Sequence, residues 1–164
     1  MASPFQAGQP AWDKVILSLF FALYLASFVV MGLDAARWRT SNMPLWAEVT
    51  GAVGILASYA IIWRVLAENS FAAPVVKIQM ERGQRIVTTG PYGVVRHPMY
   101  GGAIFFLLGT PLLLGSFYGL VFVPPLVILL AIRAILEERA LADQFPEYAA
   151  YSQRTKYRFV PGVW

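Results

Sequence analysis

Gly90-Pro91-Tyr92-Gly93-Val94-Val95-Arg96-His97-Pro98-Met99-Tyr100 stands at the mouth of a long apolar run and holds the only histidine of the chain. On its upstream side Gly90-Pro91 is a turn signal. On its downstream side, Met99 to Leu136 carries a single charge, Arg133. About 20 apolar residues cross the hydrocarbon core as a helix, so this run reads as two spans, Met99–Phe117 and Tyr118–Leu136. The turn between them is Gly115-Ser116-Phe117-Tyr118, which makes the pair a tight helical hairpin. Two further spans precede the loop. Val15–Leu33 has no internal charge, and Leu45–Leu66 carries Glu48 near its start and Arg64 near its end. The expected architecture is all-α: one domain over residues 1–164, an integral membrane bundle of about four transmembrane helices with an interfacial loop and an amphipathic tail.

Composition agrees. The chain is 58% hydrophobic and 13% charged, with a mean hydropathy of +0.58, whereas a soluble domain carries about 25% charged residues. The net charge of +4 fits basic loops facing an anionic leaflet. Nucleic acid is not expected as a partner, because no basic run is interleaved with aromatics. Without cysteine the chain has no disulfide, thiolate ligand or thiol nucleophile, and one histidine cannot supply a usual zinc ligand set. No metal site is expected.

Charge sets the orientation. With four spans, the N-terminal tail, the 67–98 loop and the C-terminal tail share one side. That side holds Lys14, Arg64, Lys77, Arg82, Arg85, Arg96, Arg133, Arg139, Arg154, Lys156 and Arg158, against Arg37 and Arg39 opposite. The positive-inside rule places both termini in the cytoplasm. Val15–Leu33 is too long for a signal-peptide core and lacks a small-residue cleavage site after it, so it reads as a retained span.

Within the spans, Pro111 and Pro124-Pro125 are expected to kink their helices, either as packing devices or to widen a cavity for a lipophilic substrate. Gly101, Gly102, Ala103 and Gly109 allow close helix approach. Glu68–Gln84 is too polar to span, and Phe71, Val75, Val76, Ile78 and Met80 suit an interfacial helix or re-entrant cover. Ile86-Val87-Thr88-Thr89 is β-prone. Leu141, Phe145, Tyr148 and Tyr151 follow helical spacing, with a break expected at Pro146. The aromatic-basic ending Tyr157–Trp164 suits the interface.

The polar residues at the loop face carry the chemistry. His97 is either a structural hydrogen-bonder or part of a binding site. Pro98 biases it to an extended backbone and opens the next helix. Loop amides, a helix N-terminus and Arg96 would together favour an anion such as a carboxylate, while Tyr92 and Tyr100 offer flat faces to an aromatic or cationic ligand. Glu137 and Glu138 diverge by about 100° on a helix, so one is expected to point inward and the other to solvent or Arg139. An inward boundary carboxylate suggests function. Arg133 lies four residues before Glu137, either as a simple i,i+4 partner or as a cation facing substrate.

The pattern Val87-Thr88-Thr89-Gly90-Pro91-Tyr92, Arg96-His97-Pro98-Met99-Tyr100, then Arg133 with Glu137-Glu138, resembles the isoprenylcysteine carboxyl methyltransferase family and the wider group that includes phospholipid N-methyltransferases. The resemblance covers roughly Lys77 to Trp164. It implies an integral membrane enzyme using S-adenosylmethionine, with a cofactor pocket at the cytosolic face. Carried over, the cofactor positions are Gln84, Ile86, Val87, Tyr92, His97, Pro98, Met99, Tyr100 and Glu137. Arg133 corresponds to a substrate-contacting arginine that orients the acceptor, and His97 joins it among the catalytic candidates. Two positions depart from the eukaryotic pattern, which has histidine at Gln84 and glutamine at Lys77.

The implied reaction is displacement at a sulfonium methyl, in which the protein positions and desolvates a nucleophile. A carboxylate acceptor needs no general base; for a thiol or amine, His97 or a carboxylate would help. The implied partners are a lipophilic or lipidated acceptor and membrane lipids. Two other readings compete. One is a membrane NADPH-dependent reductase of the steroid-reductase type, although no glycine-rich dinucleotide fingerprint is present. The other is a non-enzymatic scaffold, which would have no need of Arg96, His97, Tyr100 and Glu137 clustered at one face.

Overall fold

The computed structural model describes residues 8–73, 75–76 and 83–164. Helix α1 (Ala11–Leu33) runs on through a π-helical turn, Asp34–Trp38, that closes at Arg39 in the left-handed region (φ 51°). It is followed by α2 (Leu45–Glu68), a 3-10 turn at Gly90–Gly93, α3 (Pro98–Leu113), α4 (Phe117–Val121), α5 (Val123–Gln144) and α6 (Tyr148–Arg154). Among the described residues there is no strand; Ile86–Thr89 is irregular, having no partner to pair with. Ala11–Trp38, Leu45–Glu68 and Phe117–Gln144 are each long and apolar enough to cross a membrane, and Pro98–Leu113 is a shorter apolar helix of 16 residues. The chain is an integral membrane helical bundle.

Several boundaries differ from the sequence reading. The third span ends at Leu113, where Gly115 supplies a positive φ of 67° for the turn. The fourth extends well past Leu136, to Gln144, so both glutamates lie inside a continuous helix. Pro124-Pro125 fall in the first turn of α5 rather than mid-span, where the N–H groups they lack would have no intrahelical acceptor anyway. They follow the one-residue break at Phe122 that separates α4 from α5 within the Phe117–Gln144 span, and Pro111 lies inside α3. The tail breaks around Pro146 as expected, but Leu141 belongs to α5 and Tyr148–Tyr151 to a separate helix. Of the expected interfacial segment, Asn69–Ala73 is irregular, and Lys77, Ile78 and Met80 lie outside the described residues.

The glycines of α2 and α3 let their backbones meet. A Cβ on Gly109 would stand 2.7 Å from the Gly51 carbonyl oxygen, and one on Gly51 would stand 2.6 Å from that of Gly109. Such contact replaces the hydrophobic drive that is absent between helices in lipid. Leu107, Leu126, Leu130 and Ala134 form the core between α3 and α5, with Phe20, Leu23 and Tyr24 of α1 packed on it. The outer faces show Leu25, Trp46, Leu56 and Trp63, the expected lipid-facing surface.

Two buried aspartates pin the ends of α1. Asp34 accepts from Ser116 Oγ (2.6 Å), Thr40 Oγ1 (3.0 Å) and the Ser41 amide (3.2 Å), which ties α1 to the α3–α4 turn. Asp13 ties the other end to α5. The intervening turns rise about 1.5 Å per residue, roughly the 30 Å hydrocarbon thickness. At the Asp13 end the close of α2, the loop that follows it, the start of α3, the end of α5 and α6 come together.

Candidate active site

The loop before α3 is held by its neighbours. Gly90 has φ 57°, a conformation suited to glycine. The hydroxyl of Thr89 beside it donates to Glu68 Oε1, and Asn69 Nδ2 donates to Tyr92 Oη at 2.8 Å. Pro98 opens α3 with His97 as its N-cap, at φ −125°. The amides of Arg96 and His97 donate to the carbonyls of Tyr157 (2.9 Å) and Arg158 (2.8 Å). The C-terminal tail has therefore taken two of the loop amides that the sequence reading offered to an anion. The tail itself comes close because Gly101 has no side chain: a Cβ there would lie 2.8 Å from the Phe159 carbonyl oxygen.

Glu138 is the hub beneath this loop. Its Oε1 accepts from Arg96 Nε (2.8 Å), Arg158 Nε (3.1 Å) and His97 Nε2 (3.1 Å), and Arg158 Nη2 lies 3.0 Å from Oε2. Arg96 spends Nη1 on the carbonyls of Ser152 (3.2 Å) and Thr155 (3.0 Å). This corrects the expectation that the second glutamate faces solvent or Arg139. Adjacent helical residues do diverge, but the tail wraps the second direction, and both carboxylates face protein. Arg96 lines the cavity described below, with its Nε held by Glu138. His97 thus lies between the two carboxylates, with Nε2 on Glu138 and Nδ1 3.8 Å from Glu137 Oε2.

Glu137 lines a cavity of about 130 Å³. Tyr100 Oη donates to its Oε2 at 2.8 Å, and its Oε1 makes no hydrogen bond among the described residues. The His97 and Tyr100 rings stack, 5.3 Å apart and within 3° of parallel. Gln84, Ile86, Val87, Tyr92, His97, Pro98, Met99 and Tyr100 line the same cavity, so the structure brings all nine expected cofactor positions to one place. Tyr148 and Tyr151 of α6, Leu141 of α5 and Val75-Val76 complete much of the wall. Tyr151 Oη donates to the Tyr92 carbonyl at 2.9 Å. Burial raises the pKa of Tyr92, Tyr148 and Tyr151, so each remains a neutral donor.

Arg133 stands elsewhere. Its ion pair is with Asp13, Nε to Oδ1 at 2.7 Å, and both side chains are buried. The guanidinium lies 5.6 Å from the centre of the Tyr100 ring, and Arg133 does not line the cavity. The pairing with Glu137 suggested by i,i+4 spacing gives way to one between helices. Asp13 escaped the sequence reading, although a buried arginine demands a carboxylate and few lie at that end of the bundle. Asp13 Oδ2 also accepts from Gln9 Nε2 (2.7 Å) and from the Val76 amide (3.0 Å), joining α1 to the cavity's cover. Helical spacing alone assigns Tyr148 and Tyr151 to the apolar face of a tail helix; the structure places them on the cavity wall. Among the described residues no group of three or more His, Cys, Asp or Glu could hold a metal ion.

Residues 45–148 match the phospholipid methyltransferase family. The chain is 32% identical over 158 residues to protein-S-isoprenylcysteine O-methyltransferase B of Arabidopsis thaliana, covering 90% of this chain and 77% of the plant protein. It is 35% identical over 136 residues to the cobalt-zinc-cadmium resistance protein CzcN of Cupriavidus metallidurans, covering 80% of this chain and 58% of that one. It is 28% identical over 130 residues to protein-S-isoprenylcysteine O-methyltransferase of Schizosaccharomyces pombe, covering 69% and 55%. The match contains the loop, α3, α5 and both glutamates, and nothing in it favours a reductase or a scaffold: the chain belongs to the phospholipid methyltransferase family and is a membrane methyltransferase.

Proposed function

We propose that the chain transfers a methyl group from S-adenosylmethionine to a lipid or lipidated acceptor at the cytoplasmic face, within one domain whose N- and C-terminal tails both lie on that side. The carrying observation is the cavity at the Asp13 end of the helix bundle, with the Glu137 carboxylate on its wall and the Tyr92, Tyr148 and Tyr151 rings around it. Those groups fit a cationic nucleoside donor. A carboxylate attracts an ammonium or sulfonium and accepts from ribose hydroxyls, and aromatic faces receive a purine or a cation. When bound, S-adenosylmethionine supplies a methyl group already activated by a sulfonium leaving group.

Gln84, Ile86, Val87, Tyr92, Pro98, Met99 and Tyr100 hold the donor, with Glu137 as their charged member. Tyr100 orients Glu137 through its hydroxyl. His97, fixed by Glu138 at Nε2, turns Nδ1 toward the cavity side and can take a proton there from a thiol or amine acceptor; a carboxylate acceptor needs none. Arg133 acts indirectly. With Asp13 at 2.7 Å it is a neutralised pair, and its contact with the Tyr100 ring makes it a positioning residue rather than a receptor for an anionic acceptor. The names of the plant and fission-yeast relatives point to a carboxylate on a prenylated cysteine, and the family description points to a phospholipid headgroup. Both are acceptors with apolar tails, suited to the exposed apolar flanks of the helices.

Titration in detergent with S-adenosylhomocysteine and, separately, NADPH tests this reading. Saturable binding and a raised melting temperature are expected with the first alone, since a ligand specific to the folded state stabilises it. Binding of NADPH alone, or of neither, would overturn it.

A further inference from the structure

Tyr148 is 5% exposed and lines the cavity, and its hydroxyl oxygen is buried with no hydrogen-bond partner among the described residues. Buried tyrosine hydroxyls nearly always find a partner, because leaving one unmade costs the desolvation of the group. Two other buried hydroxyls are also unpartnered, Ser58 Oγ and Thr155 Oγ1, but neither residue lines the cavity. Tyr151 is the natural comparison. It lies one turn on along α6, with its ring 5.8 Å from that of Tyr148, and its hydroxyl is satisfied by the Tyr92 carbonyl. One helix thus presents two tyrosines to the same wall, one engaged in holding the loop and one with its hydrogen-bonding capacity unspent.

The surroundings say what that capacity suits. Of the charged groups acting on the Tyr148 hydroxyl, Arg96 and Glu137 line the same cavity as its ring. Helix α6 lies beyond the last span, on the side open to water-soluble ligands, whereas an acceptor with an apolar tail arrives from the bilayer. We infer that the Tyr148 hydroxyl is a binding group for the methyl donor, donating a hydrogen bond to an oxygen or nitrogen of its nucleoside or amino-acid part. This rests on the reading of the cavity as an adenosyl-donor site.

The test is Tyr148→Phe in the full-length protein, with Tyr151→Phe beside it, each titrated with S-adenosylhomocysteine and melted without ligand. Losing one hydrogen bond to the ligand should weaken binding roughly 3- to 10-fold. The ligand-free melting temperature of Tyr148→Phe should stay level or rise, because an unsatisfied hydroxyl has been removed. Tyr151→Phe should melt lower, since it loses a bond that is made. Unchanged affinity in Tyr148→Phe, or a lowered ligand-free melting temperature, overturns the inference while leaving the donor site standing. Failure of the wild-type protein to bind S-adenosylhomocysteine overturns both together.

Discussion

Arg133 on the last span and Asp13 in the first turn of the first helix form a 2.7 Å ion pair across the bundle, with 7% and 0% of their side chains exposed. The pair closes one end of the helix bundle. It also reaches the site twice, through the Val76 amide on Asp13 and through the Tyr100 ring beside Arg133. Removing Asp13 takes from the buried guanidinium its 2.7 Å carboxylate partner. Asp13→Ala should therefore cost about 3–5 kcal/mol. Adding Arg133→Met to it should recover much of the loss, because the guanidinium that lost its carboxylate is then gone as well. Thermal or chemical unfolding in detergent of both single variants and the double variant checks this. Simple additivity would mean that the two residues do not depend on each other.

The two glutamates should separate by readout. Glu138→Gln breaks contacts with Arg96, His97 and Arg158 at once, so it should lower the melting temperature and loosen the tail from the loop. Glu137→Gln has one tyrosine hydroxyl to lose and should leave the melting temperature near wild type while weakening donor binding. Protease sensitivity of the tail, read beside the melting curves, distinguishes them; equal behaviour in both assays would contradict the assignment.

Tyr100→Phe removes the hydroxyl that aims Glu137 and little else. A hydrogen bond to a charged group contributes about 1.5–3 kcal/mol, so kcat/KM should fall roughly 10- to 100-fold. Normal kcat/KM in this variant would show that Glu137 holds its orientation unaided.

Gly101→Ala would push a methyl group to 2.8 Å from the Phe159 carbonyl. Overpacking of this kind costs typically 1–3 kcal/mol. Because the tail supplies the carbonyls that hold Arg96 and His97, activity should fall with stability. Alanine at Gly32, within α1 and with no other element within 4 Å of the added carbon, is the control that should lower neither.

The chain has no cysteine, so single introduced ones report topology cleanly. Gln153→Cys, in the exposed part of the tail, should be protected from an impermeant reagent in intact cells. Thr40→Cys, exposed at the opposite end, should be labelled. The reverse pattern would invert the orientation drawn from the basic residues.

Much of this was legible because it is local. Apolar runs gave the helices, Pro98 gave the start of α3, and the segment from Gly90 to Tyr100 named the residues that meet Glu137. What was not legible is set by pairing between distant elements. Spacing linked Arg133 to Glu137, yet the bundle brings Asp13 to it from the far end of the chain. The rule that neighbouring helical residues point apart held for Glu137 and Glu138, but it could not foresee that the tail would fold back under the loop and occupy the second direction. The same fold-back spends the amides of Arg96 and His97 on Tyr157 and Arg158. Tyr148 and Tyr151 carried a helical period, and only the docking of α6 turns that apolar face into a cavity wall.

Methyl transfer itself is the most direct test. The purified protein in vesicles would be given S-adenosylmethionine labelled in its methyl group, with either a farnesylated cysteine or a phospholipid acceptor. Label should pass into the organic phase with at least one acceptor, and Glu137→Gln should reduce the rate by at least roughly 10-fold, as expected for loss of a charge-assisted contact. No transfer to either acceptor class, or equal transfer by Glu137→Gln, would contradict methyl transfer at this cavity.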